Sequence, residues 1–169
     1  MTDHAADPTL DRLLRHMAWA NAAVLGTLAG LTDDALALAA PRNEWTVAMI
    51  LEHLVSSAGG YTARLEGVPR PDRMDPPTAV AELAGLATTC AAFDARLRAQ
   101  AAAPDGPVEY KSDAGTIRRA RSTILGQAIH HATEHRAQIG DALSTNGIDA
   151  LDLDELDLWA YSTHEGLGA

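Results

Sequence analysis

The stretch Ile124-Leu125-Gly126-Gln127-Ala128-Ile129-His130-His131-Ala132-Thr133-Glu134-His135-Arg136-Ala137-Gln138-Ile139 decides how the chain folds. Its apolar residues recur at helical spacing, so it reads as the buried face of a long helix. On a helical wheel centred on His131, Ile124 and Ala142 fall about 20° away, His135 about 40° and Ala128 about 60°, at about 100° per residue. His131 and His135 therefore lie within the core-facing stripe. Residues four apart stack one turn above another, close enough for two imidazoles to reach one metal ion. Two imidazoles taken out of water side by side need hydrogen bonds or a cation.

Composition agrees with a helical core. The apolar fraction of 47% is largely alanine and aromatics make up only 4%, which favours helices that approach closely over sheets of β-branched and aromatic residues. At 169 residues, the chain fits a single domain, 1–169, with a core of useful size. The balance of 13 basic against 23 acidic residues leaves no dense Lys/Arg stripe for nucleic acid and little attraction to an anionic membrane. Cys90 has no partner for an internal disulfide, no run of about 18 apolar residues exists for a membrane span, and Met1-Thr2-Asp3-His4 does not begin a signal peptide. These features predict a cytoplasmic protein.

Four long helices can be read along the chain. The first runs from Pro8-Thr9 to Gly30, capped by Asp7 or Thr9, with Leu10, Leu13, Met17, Ala20, Val24 and Leu28 facing inward. A short helical piece over Thr32–Ala39 precedes a second long helix from Thr46 to Glu66. Gly67–Pro77 holds four prolines and must be loop. The third helix is expected over Thr78–Ala102, ending at Pro104-Asp105-Gly106-Pro107. Val108–Lys111 and Thr116–Arg118 flank a turn at Ser112-Asp113-Ala114-Gly115 and predict a small hairpin. The fourth helix spans Arg121–Thr145, and a last short helix passes through Trp159 and Tyr161, two apolar residues expected to be exposed.

Position sorts the seven histidines. His4 and His164 lie in terminal segments and read as solvated, and His16 packs at the edge of the first helix. His130 points about 100° from His131, towards a helix neighbour or a subunit interface. His53, on the flank of the second helix beside Ser57, is able to face His131 and His135. Two readings remain open on spacing alone: three core histidines hydrogen-bonded to Ser57, Gln127 or backbone, or a metal site built from facing helices. Three neutral imidazoles suit zinc, nickel or another late first-row divalent ion better than magnesium or calcium. No fourth protein ligand suggests itself, since Cys90 reads as a small buried hydrophobe, and an open position is what a catalytic site keeps. Gln127, one turn before His131, is placed to hydrogen-bond a bound water or orient a ligand. No Ser-His-Asp or Cys-His arrangement is legible.

Three segments together, Met17-Ala18-Trp19-Ala20-Asn21, Trp45-Thr46-Val47-Ala48-Met49-Ile50-Leu51-Glu52-His53-Leu54 and His131-Ala132-Thr133-Glu134-His135-Arg136-Ala137-Gln138-Ile139, resemble the DinB/YfiT-like superfamily over nearly the whole chain. The resemblance implies an all-α four-helix bundle of up-down-down-up topology, with the small hairpin before the last long helix. It also implies a homodimer and a divalent metal on His53, His131 and His135. The sequence departs from the common pattern at Gln127, where many members have another histidine, and at His130, where asparagine is frequent. Members of known chemistry are thiol transferases using a low-molecular-weight thiol such as bacillithiol or mycothiol, or glutathione-linked isomerases. The leading expectation is a metal-dependent thiol S-transferase; the others are a metal-dependent hydrolase and a metal-binding stress or scaffold protein without turnover.

Overall fold

Local capping explains where the helices begin. The Asp7 carboxylate accepts from the backbone N–H groups of Thr9 and Leu10 at 2.9 and 3.0 Å, and Pro8 follows at the first helical position, opening α1 (Pro8–Ala29). Thr46 Oγ1 accepts from Met49 N–H at 3.3 Å and starts α2 (Val47–Glu66), which Gly67 stops at φ 68°, a left-handed geometry suited to glycine. The later elements are α3 (Leu83–Gln100), an antiparallel hairpin β1 (Pro107–Ser112) and β2 (Gly115–Ala120), α4 (Arg121–Ser144) and α5 (Leu158–His164). Asp105 caps α4 from outside the helix, accepting from Ser122 N–H at 2.9 Å and Ser122 Oγ at 2.8 Å. The structure is a computed structural model that describes residues 7–112 and 115–167, so His4 and the Asp113-Ala114 part of the turn lie outside the described residues.

The long helices pack on one another in pairs, α1 against α3 and α4, and α2 against α3 and α4. Their apolar stripes form two clusters, one around Val24, Ile50, Leu51, Leu83, Ile139 and Leu143, the other around Leu14, Met17, Leu97 and Leu125. The clusters meet along α2 at Val55–Ala58 and along α4 at Ala132–Ile139, beside the predicted metal ligands. The polar centre is thus held between two dry layers. No helix among the described residues is long and apolar enough to cross a membrane.

Two expectations need correction. The helix expected from Thr78 begins only at Leu83, after a 3₁₀ turn over Val80–Glu82. Side chains claim the preceding backbone: Asp33 Oδ1 accepts from Val80 N–H at 2.8 Å, and Glu82 accepts from the Thr78 hydroxyl at 2.8 Å. Tyr161 is buried, because α5 folds back so that the ring packs 5.3 Å from Trp19 and its hydroxyl accepts from Arg15 at 3.1 Å. His164 is exposed, as read from its position, with one face of its ring stacked on Trp19 at 5.4 Å. Trp159 is 83% exposed, as expected.

Candidate metal centre

Helices α2 and α4 bring three imidazoles to one point. His131 Nε2 lies 3.1 Å from His53 Nε2 and 3.1 Å from His135 Nε2, and all three nitrogens fall within 4.8 Å of one another. Imidazole nitrogens at about 2.0–2.1 Å from a common divalent ion, in tetrahedral or octahedral arrangement, are separated by about 2.9–3.4 Å. The two separations from His131 match that spacing.

The tautomers sharpen the argument. His135 Nδ1 donates to Gln138 Oε1 at 2.7 Å, which puts the ring proton on Nδ1 and leaves a bare lone pair on Nε2, facing the centre. His131 Nε2 touches two neighbours but carries at most one proton, so a hydrogen-bond network among neutral rings leaves one 3.1 Å nitrogen pair unsatisfied. A cation satisfies all three. Burial and the neighbouring histidines push His131 down to about 4, and burial with the His135 charge lowers His53, so both rings are neutral donors near pH 7. His135 and His131 owe their position to the i, i+4 spacing read from the sequence, and His53 faces them from α2 with Ser57 Oγ 3.5 Å from its Nε2.

Aromatic walls flank the cluster. The Trp45 ring packs edge-on against His53 at 4.8 Å and stacks towards His135 at 6.3 Å, while Tyr61 stands edge-on to His131 at 5.7 Å. Trp45 sits in the segment just before α2, pinned by Val47 N–H donating to Leu38 O at 2.8 Å and Trp45 N–H to Asn43 Oδ1 at 3.0 Å. Gln127 is exposed and makes no hydrogen bond to a histidine among the described residues. The proline-rich loop is clasped to the site by Arg73, whose Nε and Nη2 donate to the fully buried Glu52 carboxylate at 2.7–3.0 Å. Burial alone would raise the Glu52 carboxyl, but the hydrogen bonds from Arg73 and Ser56 outweigh it and hold it below the usual range.

The remaining candidates fall elsewhere. His16 is buried with its Nε2 2.8 Å from Leu156 O, beside Tyr161 and away from the cluster, and His130 is exposed. Cys90 is buried, its thiol pushed up by burial and by Asp94, which accepts from Sγ at 3.6 Å; it is no ligand. Gln138 and Trp45 stood inside the quoted motifs without an assigned role. The i, i+3 spacing of Gln138 from His135 carried the signal, since ligating histidines ordinarily give their second nitrogen to such an acceptor. The roomier clefts lie away from the histidines, at Leu10, Leu13 and Arg121 and beside Trp159, so donor chemistry and not cavity size locates this centre.

No curated protein matches the chain. The DinB family model matches residues 1–164, which include all three histidines and the helices that carry them. A three-histidine cluster able to hold a metal ion, on a mostly helical chain matched almost end to end, thus places this protein in the DinB family.

Proposed function

We propose that the protein is a cytoplasmic, divalent-metal-dependent thiol S-transferase, with zinc or nickel on His53, His131 and His135. The observation that carries the reading is the convergence of three imidazoles, with His131 Nε2 3.1 Å from the Nε2 atoms of both His53 and His135 and no carboxylate or thiolate among them. A bound divalent ion at such a site lowers the pKa of a thiol or water in its open position, giving thiolate or hydroxide near neutral pH. The chain's own residues do the rest. Gln138 fixes the His135 ring, and Trp45 and Tyr61 limit water at the flanks. The four long helices are read as an up-down-down-up bundle, supported by the α1–α3, α1–α4, α2–α3 and α2–α4 pairing. Exposed Leu158, Trp159 and Leu167 favour a homodimer through the α5 face.

Elemental analysis of protein purified without a metal-affinity tag, paired with thiol-transfer assays using mycothiol, bacillithiol and glutathione, tests the proposal. We expect one ion per chain and transfer from at least one thiol, with His135→Ala losing both while keeping its helical circular dichroism. Full metal occupancy in that variant would overturn the ligand set. A loaded protein inert towards every thiol would overturn the transferase and favour a metal-dependent hydrolase or a binding protein without turnover.

A further inference from the structure

Two guanidinium groups converge beside the histidine cluster, neither with a carboxylate at ion-pair distance among the described residues. A side chain built at Gly60 would meet Arg70 Nε at 3.2 Å and Arg64 Nη1 at 3.8 Å, so both cations lie against the same point on α2. Arg64 also packs over the rings of Tyr61, at 5.5 Å, and Tyr110, at 5.1 Å, which orients its planar fork. Neither arginine forms an ion pair or donates to a side-chain acceptor among the described residues, although the chain carries 23 acidic residues against 13 basic ones. By contrast, Arg73 in the same loop is neutralised by Glu52, and Arg96 beyond Phe93 by Glu66. Like charges held together in an acidic protein, both left unpaired, make a site for an anion.

The position of this pair relates it to the histidines. His53, Ser57, Gly60 with Tyr61, and Arg64 follow one another at spacings of three and four, so they share one face of α2. Seven residues separate His53 from Gly60, about 10 Å of helix rise. Tyr61 bridges the two, with its ring against His131 on one side and beneath Arg64 on the other.

We propose that Arg64 and Arg70 form an oxyanion-binding subsite, which selects substrates carrying a carboxylate or phosphate about two helical turns along α2 from the end that meets the histidines. The distance rests on the thiol-transfer reading for where the reacting end sits; the anion subsite itself does not. Gly60 leaves room for the pair, since a Cβ there would lie 3.2 Å from Arg70 Nε and require that side chain to give by a few tenths of an ångström.

The test is calorimetric and uses the full chain without added metal, so that it does not depend on metal chemistry. The probes are S-methylglutathione, whose sulfur is blocked and whose two carboxylates are free, its dimethyl ester, and 4′-phosphopantetheine as the phosphate counterpart. We expect one of the two anionic probes to bind at least tenfold more tightly than the ester, the tighter one identifying carboxylate or phosphate. Arg70→Met and the Arg64→Met, Arg70→Met double variant, checked by circular dichroism for unchanged helix content, should each lose at least tenfold in affinity for that probe. Binding should also weaken as sodium chloride is raised. Equal binding of acid and ester, no binding of either anion, or affinity unchanged in folded variants would overturn the subsite. None of those results bears on the metal ligands, which stand or fall with metal occupancy.

Discussion

Replacing Gln138 by leucine should weaken metal binding without touching a ligand. The 2.7 Å bond from His135 Nδ1 to Gln138 Oε1 fixes the ring's tautomer and its rotation, and leucine removes the acceptor at similar length. Loss of such a supporting bond costs metal affinity about 10–100-fold, so we take about thirtyfold as the expected change. At free zinc one hundred times the wild-type dissociation constant, binding stabilises the native wild-type protein by about 2.7 kcal/mol. A site about thirtyfold weaker gains only about 0.9 kcal/mol at the same free zinc. The difference, near 1.8 kcal/mol, corresponds to about 4–7 °C in Tm for a chain of this length. The assay is thermal unfolding of both proteins in a zinc buffer and after chelation, and the comparison is the zinc-induced shift within each protein. Equal shifts would show that the Gln138 contact does not set the His135 lone pair, and the tautomer argument would fall.

Three further outcomes follow from the polar groups around the centre. Arg73→Met leaves the buried Glu52 carboxylate with Ser56 as its remaining side-chain donor and should lower the urea unfolding midpoint, where an unchanged midpoint would mark the clasp as incidental. Asn21→Ala breaks two buried bonds at once, from Asn21 Nδ2 to Asp94 at 3.1 Å and from Arg136 to Asn21 Oδ1 at 2.7 Å, and should cost about 2–4 kcal/mol by the same measurement; a loss below about 1 kcal/mol would contradict it. Asp94 is held above its ordinary value of 3.8 by burial, so the folded state binds its proton more tightly than the unfolded one. Its contribution to stability is therefore favourable at low pH and lost as pH rises from 3.8 through the folded value. Asp94→Asn should gain stability relative to wild type as pH rises through that window, and a difference constant with pH would refute the assignment.

The long helices were legible because their apolar residues keep a helical period and their ends carry Asp7, Thr46, Gly67 and Asn146-Gly147. The three-histidine cluster was legible for the same reason, since a fixed i, i+4 pair on a buried stripe leaves few directions for the rings. What escaped depends on contacts between distant segments. Arg73 reaches Glu52 across 21 residues, and nothing local marks a glutamate on a helix as fully buried. The start of α3 moved because Asp33, 47 residues away, takes the Val80 N–H. Tyr161 became core because α5 docks on α1, which its own seven residues do not disclose.

X-ray absorption at the zinc edge of the zinc-reconstituted full chain tests the central assignment most directly. The geometry predicts three imidazole nitrogens at about 2.0–2.1 Å, with any further scatterer a single light atom in the open position. A sulfur scatterer near about 2.3 Å, or fewer than three imidazoles around the bound zinc, would contradict it.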